Sequence, residues 1–205
     1  MNILGKSICI HIAFDTNIGV IDYFIDDTEN KTAYGYILRR LCECGYEPIC
    51  CVSDGHWGLE SLLREERIPN QLCVFHLLQN LRRMLAKQEY FSTEIPSEHK
   101  VLYSRIKGIF KTSKIENVPT KIENFRKLQK YWNTNTQKKV IRWFWQKVPN
   151  ALIGLSFEEN IPKTNNSLEN LNGQIEARLK TFRGVKSEKS LKKILKILFY
   201  LRKYK

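Results

Sequence analysis

The sequence is poor in the residues and segments that mark several protein classes. Ten glycines and six prolines among 205 residues exclude a collagen-like or low-complexity composition. All apolar runs are far shorter than a membrane-spanning helix, and no secretory pattern opens the chain. Hydrophobic residues make up 42% of the chain, which excludes a wholly disordered protein. We therefore expect a cytoplasmic protein of one domain, or of one domain with an insertion, and no membrane partner.

Acidic residues are scarce in the longer, C-terminal part of the chain. Residues 1–75 contain six basic and 11 acidic side chains, a net charge of −5. Residues 76–205 contain 28 basic and 10 acidic side chains, a net charge of +18. Such asymmetry favours a polyanionic partner, most simply nucleic acid. The alternative is a solvated, lysine-rich helical surface.

The cysteines do not have the spacing of a common zinc finger. Cys73 and His76 form a Cys-x2-His pattern, but Cys42 and Cys44, the further ligands that zinc would need, lie two apart on a predicted helix and point in different directions. We therefore interpret Cys73 as a structural thiol, and the six cysteines as reduced thiols of a cytosolic protein.

The first half of the chain alternates strand-like and helix-like segments, beginning with a predicted β-hairpin. Periodicity and turn residues predict this order: strands Ser7–Phe14 and Ile18–Ile25, helix Thr32–Cys44, strand Ile49–Val52, helix Trp57–Glu66, strand Leu72–Phe75 and helix His76–Lys87. The order is typical of a mixed α/β sheet rather than of a helical bundle.

Strand signals fade after this region, and charged helices with apolar stripes follow. We interpret residues 87–161 as an all-helical insertion whose tryptophans, Trp132, Trp143 and Trp145, pack its small core. A helix is predicted from Thr164 to Lys180, with one apolar stripe. A last basic helix, Lys189–Lys203, should place its leucines inward and its lysines outward.

Asp54 is the most informative candidate residue. It follows the apolar run Ile49–Val52 and precedes Gly55, which places a carboxylate at the C-terminal end of a predicted parallel-type strand, where sites in open α/β sheets occur. We also expect Trp57 to pack beneath this turn. The alternative is an ordinary turn or helix-capping aspartate.

Glu169 is the second candidate carboxylate. It lies on the predicted helix that starts near Thr164, and it shares one face with Asn165 and Asn172. A single helical glutamate is usually a surface residue. A cluster of asparagines around it is less ordinary, because asparagine is a weak helix former. The cluster indicates polar contacts near a phosphate backbone.

Two ordered motifs resemble those of Mutator-like transposases and related insertion-sequence transposases. The first contains Asp54-Gly55, Gly58-Leu59, Pro69, Cys73 with His76, and the basic helical segment Gln79–Arg83. The second is the run KTNNSLENLN at residues 163–172, which is followed by Phe182-Arg183-Gly184. With the insertion between them, the resemblance covers nearly the whole chain.

The resemblance implies an RNase H-like fold: a mixed sheet flanked by helices, with an all-helical insertion before the last catalytic helix. Residues 1–86 and 162–205 would form the catalytic domain, and residues 87–161 the insertion. It also implies a two-metal site for Mg²⁺ or Mn²⁺, in which Asp54 matches the second acidic position and Glu169 the third. Cys73, His76 and Asn172 would support this site.

The family's first carboxylate has no clear match. We favour the interpretation that the first strand, with its metal ligand, is missing, so that the chain resembles the C-terminal half to two thirds of a transposase. The alternative takes Ser7–Asp15 as the first strand and Asp15 as the first ligand, which leaves one strand rather than two before the helix at Thr32.

The resemblance implies that the partner is double-stranded DNA, namely the transposon ends and the target DNA. It also implies that a homo-oligomer could form on this DNA. In a prokaryote the protein would associate with the nucleoid. Six basic residues are candidates for phosphate contacts: Arg183, Lys186, Lys189, Lys192, Lys193 and Lys196. Trp143 or Trp145 could stack on an unpaired base.

Three functions are therefore considered. The favoured one is a transposase catalytic domain that cleaves DNA and transfers strands. The first alternative is a truncated, catalytically inactive remnant that still binds DNA. The second alternative is a structure-specific nuclease of the same fold.

Overall fold

The structure, a computed structural model, describes residues 2–3, 6–86, 94–181 and 187–203. It is a mixed α/β protein in which helices predominate. The strands are β1 (Asn2–Ile3), β2 (Lys6–Ser7), β3 (Cys9–Asp15), β4 (Gly19–Asp26), β5 (Cys51–Ser53) and β6 (Asn70–Leu72). The α-helices are α1 (Lys31–Glu43), α2 (Trp57–Glu65), α3 (Val74–Leu85), α4 (Ser97–Phe110), α5 (Val118–Gln129), α6 (Asn135–Leu152), α7 (Asn166–Thr181) and α8 (Glu188–Lys203).

The element order predicted for the first half, from the hairpin to the helix after the last strand, is confirmed. The largest difference in bounds concerns β6. We expected a strand at Leu72–Phe75, whereas the strand ends at Leu72 and α3 begins at Val74. The polar pair Asn70-Gln71 belongs to the strand, although polar residues after a proline are typical of a loop.

The strands pair two by two within the part of the chain that the structure describes. β1 pairs with β2 and β3 with β4, both antiparallel, while β5 and β6 pair in parallel. The predicted mixed α/β class and the parallel-type strand before Asp54 are thus confirmed. A single RNase H-like sheet is not confirmed. One physical reason for the lack of a larger sheet is the shortness of the strands, because β5 and β6 have three residues each.

The chain divides into two compact units. The hairpin unit contains Met1–Pro48, Trp57–Glu66 and Asn165–Lys205, and the helical unit contains Ile49–His56 and Arg67–Thr164. Helices of at least 18 residues that are apolar enough to span a membrane are not found among the described ranges.

The hairpin unit has three layers, because alternate side chains of a strand point to opposite faces. On one face of the β3–β4 hairpin, Ile10, Ile12 and Ile25 pack against a core formed by α7 and α8. On the other face, the rings of His11 and Phe24 contact tyrosines of α1. The hairpin therefore has a helical layer on each side.

The helical unit is built around aromatic residues from α4, α5 and α6. Phe110, Phe125 and Phe144 are fully buried, and the ring centroids of Phe125 and Phe144 lie 4.5 Å apart. Trp132 is buried against Phe125, and Trp145 packs edge-on against it. The prediction that the tryptophans pack the core of a helical segment is confirmed.

Candidate functional site

Asp54 lies in an irregular turn at the carboxyl end of β5. The strand ends at Ser53, Gly55 has a φ of +90°, and a side chain at that position would be strained. The Asp54 carboxylate is exposed, and its Oδ1 accepts a hydrogen bond of 3.1 Å from the His56 amide. The turn thus presents a carboxylate to solvent at the end of a parallel strand.

Residues buried in the helical unit fix the position of this turn. The Ser53 hydroxyl donates to Asn70 Oδ1 at 2.8 Å, and the Gly55 amide donates to the Ser53 hydroxyl at 3.3 Å. Neither role follows from the sequence pattern, because Ser53 lies next to a turn and Asn70 follows Pro69. The only signal was a polar residue directly after that proline.

Cys73 lies beside the same turn, at the start of α3. Its side chain is completely buried, and its backbone amide donates to the Ser53 carbonyl at 2.7 Å. His76 lies in the first turn of α3, where its ring stands edge-on to Phe75 with 5.6 Å between centroids. The expected burial of Cys73 is confirmed, while its role as a structural thiol stays a prediction. Asp54, Cys73 and His76 all belong to the helical unit.

Burial perturbs the neighbouring thiols of Cys50 and Cys51, at the start of β5. Burial raises the pKa of Cys51 to about 12, with a smaller contribution from neighbouring Cys50. Burial also raises the pKa of Cys50. All six cysteines are free thiols, and Cys42 and Cys44, on and after α1, are exposed.

Expectations for the hairpin are partly confirmed. Asp15 ends β3, and its Oδ1 accepts the amides of Asn17 and Ile18 at 2.8 and 2.9 Å. β4 is the one strand between Asp15 and α1, which is the arrangement of the alternative that takes Asp15 as the first ligand. That alternative stays a prediction, and the Asp15 carboxylate serves the β3–β4 turn. Trp57, expected to pack beneath the Asp54 turn, is 71% exposed. That expectation is wrong because Trp57 is the first residue of α2, whose buried residues lie further along the helix.

Glu169 lies in the first turn of α7, in the hairpin unit. Its amide donates to the Asn165 carbonyl at 2.9 Å, and its side chain is half-buried. Leu171, Ile175 and Leu179 are buried in one core with α8, which confirms the predicted apolar stripe. Asn172 is exposed on the same helix.

Lys163, which opens the second motif, belongs to the helical unit. Its carbonyl accepts a 2.8 Å hydrogen bond from the Val74 amide at the start of α3. Its Nζ lies 3.5 Å from the Phe110 carbonyl at the end of α4, where a helix attracts cations. Burial and the nearby charge of Lys121 lower the pKa of Lys163. Lys163 is thus an anchor between two helices of this unit.

The lysines of α8 up to Lys196 face solvent as predicted, while Leu191 and Leu195 are fully buried. Four of them line a shallow depression of about 450 Å³ together with Glu188: Lys189, Lys192, Lys193 and Lys196. Lys192 is also paired with Glu188. Arg183 and Lys186, the remaining candidates for phosphate contacts, lie outside the described residues.

Trp143 has a packing role in the helical unit. It is half-buried and stands edge-on to Phe110, with 6.1 Å between ring centroids. Its neighbour two positions on, Trp145, donates to Gln129 Oε1 at 3.2 Å and lies under the Arg126 guanidinium. Base stacking by Trp143 stays a prediction.

Comparison with known proteins gives one match, and it spans almost the whole chain. Residues 4–204 match the model of the family described as "Transposase, Mutator family". The chain belongs to the Mutator family of transposases. No curated protein and no solved structure matches the chain.

Membership of the Mutator family implies that this transposase chain acts in DNA transposition, and it confirms the resemblance seen in the two motifs. Asp54, Cys73 and His76, from the first motif, lie in the helical unit. Glu169 and Asn172, from the second, lie in the hairpin unit.

Proposed function

We propose that this chain is the RNase H-like catalytic domain of a Mutator-family transposase, which cleaves DNA strands and transfers them. Residues 1–86 and 162–205 would form that domain and residues 87–161 its helical insertion. The observation that carries the proposal is the family match over residues 4–204, which includes a carboxylate presented at the end of a parallel strand.

Asp54 and Glu169 are the residues that would hold Mg²⁺ or Mn²⁺, at the family's second and third acidic positions. The chemistry of Asp54 fits, because hard divalent cations prefer oxygen ligands. Its carboxylate is exposed and accepts one hydrogen bond, whereas a carboxylate has about four lone-pair sites. Among the described residues, no Lys or Arg pairs with Asp54 to compete with a cation. We assign no residue to the first position.

When bound, a pair of such ions supplies an activated water or 3′-hydroxyl and stabilises the leaving oxygen of an in-line displacement. The chain's own part is to hold the ligands and the DNA. Asp54 is presented by a turn that buried side chains fix, and Glu169 by a helix that an apolar stripe fixes. Cys73, His76 and Asn172 would support these two ligands.

The DNA would be held through its phosphates. Lys189 and Lys193 lie on the exposed face of α8 and line its depression, and lysines that contact phosphates give binding that is independent of sequence and sensitive to salt. Trp143 is a further candidate, for an unpaired base, and Arg183 and Lys186 are candidates from the sequence alone. The partners would be double-stranded transposon ends and target DNA, bound by a homo-oligomer.

Nicking of supercoiled plasmid by the purified full chain with Mn²⁺ tests this function. Asp54→Asn and Glu169→Gln should each reduce the rate by about a hundredfold or more, because loss of a metal ligand removes several kcal/mol of transition-state stabilisation. Matched controls are Glu158→Gln, an exposed glutamate of the helical unit, and Glu176→Gln, further along α7. Both should nick at the rate of the unmodified chain.

Two outcomes would contradict the proposal in different ways. Nicking that survives both Asp54→Asn and Glu169→Gln would show that the ligands are wrongly assigned. Tight DNA binding with a steep salt dependence, but without nicking by the unmodified chain, would favour the alternative of an inactive DNA-binding transposase remnant.

A further inference from the structure

The turn that carries Asp54 is tied to the interior by a short chain of hydrogen bonds. Asn70 Oδ1 accepts from the Ser53 hydroxyl at 2.8 Å, and the Ser53 oxygen accepts from the Gly55 amide at 3.3 Å. Ser53 is 4% exposed and Asn70 is 8% exposed. The residues on both sides of Asp54 are therefore connected to one buried amide.

The strand register shows how this connection is made. In the parallel β5–β6 pair, Cys51 lies opposite Asn70 and Ser53 lies opposite Leu72. The Asn70 side chain therefore reaches two residues along the neighbouring strand to meet Ser53. The Ser53 carbonyl is held as well, because it accepts from the Cys73 amide.

Asn70 is not an optimal residue for stability alone. Its Nδ2 is buried and makes no hydrogen bond with any of the described residues. A buried donor without an acceptor destabilises a fold, and an apolar side chain of similar size would avoid that penalty. The contact that Asn70 does make leads to the Asp54 turn, which points to a role in the geometry of that turn.

We propose that Ser53 and Asn70 are positioning residues for Asp54. They fix the Asp54-Gly55 turn so that the carboxylate meets a divalent cation without first having to be ordered. This inference rests on the proposed role of Asp54 as a metal ligand. Groups that orient a ligand typically change metal affinity by 10- to 100-fold, because preorganisation removes an entropy loss on binding.

Mn²⁺ binding to the full chain, measured from the electron paramagnetic resonance signal of free Mn²⁺, tests the inference without any nicking step. Ser53→Ala and Asn70→Ala should each weaken Mn²⁺ binding by about 10-fold or more. Because both changes break the same Ser53–Asn70 hydrogen bond, the double variant should bind Mn²⁺ about as weakly as either single variant. Amide hydrogen exchange at Gly55 should be faster in all three variants.

The matched control is Thr112→Val. Thr112 is 2% exposed, and its hydroxyl donates to the Gly108 carbonyl at 3.1 Å, so the change removes a buried hydroxyl from the same unit. Mn²⁺ affinity should stay within about threefold of the unmodified chain. Ser53→Thr keeps the hydroxyl, and threonine suits a strand, so its Mn²⁺ affinity should also stay within about threefold of the unmodified chain. An equal loss of Mn²⁺ affinity in Ser53→Thr and Ser53→Ala would overturn the inference.

Asp54→Asn in the same assay separates the two proposals. If Asp54→Asn abolishes Mn²⁺ binding while Ser53→Ala and Asn70→Ala leave it unchanged, the positioning role is wrong and the metal-ligand role stands. If Asp54→Asn binds Mn²⁺ as the unmodified chain does, the proposed metal site is wrong, and the positioning role fails with it.

Discussion

The hairpin unit and the helical unit each contain a group of polar interactions, and the two groups differ in burial. In the helical unit the Gln71 network is buried: Gln71, 1% exposed, donates to the carbonyls of Leu72 and Ala151 and accepts from the Gly154 amide. In the hairpin unit the ion pairs Lys31–Glu65 and Lys192–Glu188 lie at the surface, although His11 is buried there, with its Nε2 3.3 Å from the Thr28 carbonyl. Buried hydrogen bonds define geometry, whereas exposed ion pairs stabilise little.

This contrast bears on the two candidate carboxylates. Asp54 is presented by a turn whose neighbours hydrogen-bond to buried side chains, so substitutions inside the helical unit should change its chemistry. Glu169 is presented by α7, which is held by apolar packing of Leu171, Ile175 and Leu179. Apolar contacts are tolerant of swaps that conserve volume, so the position of Glu169 should depend less on any single neighbour.

Thiol labelling gives the largest expected difference, between Cys51 of the helical unit and the exposed cysteines of the hairpin unit. A pKa raised from 9.0 to about 12 lowers the thiolate fraction of Cys51 at neutral pH by about a thousandfold, and the thiolate is the reactive form. In the folded chain at pH 8, iodoacetamide should modify the exposed Cys42 and Cys44 first and Cys51 at least about a thousandfold more slowly. Peptide mass spectrometry over a time course checks this order.

The pH dependence of the labelling has a definite sign. Because burial favours the protonated thiol, the rate at Cys51 should keep rising with pH up to about 12 if the chain stays folded. In denaturant, Cys51 should react like Cys42, since the burial is lost. A folded chain in which Cys51 reacts as fast as Cys42 would break the contrast between the two units.

A substitution at Gly154 should give the next largest effect. A Cβ there would lie 2.9 Å from Gln71 Oε1 and 3.1 Å from two atoms of the Ile161 side chain. Gln71 cannot move away without losing its hydrogen bonds, so Gly154→Ala should lower the free energy of unfolding by about 1–3 kcal/mol. Urea denaturation followed by circular dichroism measures the loss.

Gly108→Ala is the matched control for Gly154→Ala. Gly108 lies within α4, and a Cβ there would meet nothing within 4 Å. Alanine is the better helix former, so this variant should be more stable by about 0.5–1 kcal/mol. Equal destabilisation by both variants would mean that the Gln71 network is not the cause.

The sequence predicted the parts of the fold that follow from periodicity and turn residues. The β-hairpin, the parallel strand before Asp54 and the apolar stripe of α7 all depend on patterns local to one segment. Asn70 and Gln71 could not be found in this way, since they are polar residues that follow a proline. Only their partners, Ser53 and Ala151, justify their burial, and these lie 17 and 80 residues away along the chain.

The site was predictable to a similar extent. Asp54 and Glu169 are candidates by motif, and their roles stay predictions. The strand before Asp54 was predicted at Ile49–Val52 and lies at Cys51–Ser53. The exposure of Trp57 was not predicted, because an aromatic residue beside a turn was expected to pack against that turn. The length of a sheet is also hard to predict from strand signals alone, since pairing joins segments that are distant in sequence.

The smallest expected effect is at the ion pair of the hairpin unit. Lys31 Nζ lies 2.5 Å from both carboxylate oxygens of Glu65, at the start of α1 and the end of α2. The hydrogen bond from Lys31 holds the pKa of Glu65 below its ordinary 4.5. Both side chains are well exposed, so solvent and salt screen the attraction. Glu65→Gln should therefore shift the unfolding midpoint only slightly at pH 7.

The sign of its pH dependence follows from linkage. A carboxyl group whose pKa is lowered in the folded state contributes stability above its ordinary value of 4.5, and this contribution is lost as the pH falls through the lowered pKa. The small difference between Glu65→Gln and the unmodified chain should thus disappear below pH 4.5, and also in about 1 M salt. Thermal unfolding across pH 3 to 7 measures it. A loss as large as that of Gly154→Ala would mean that the hairpin unit also depends on its polar contacts, and the contrast between the units would fail.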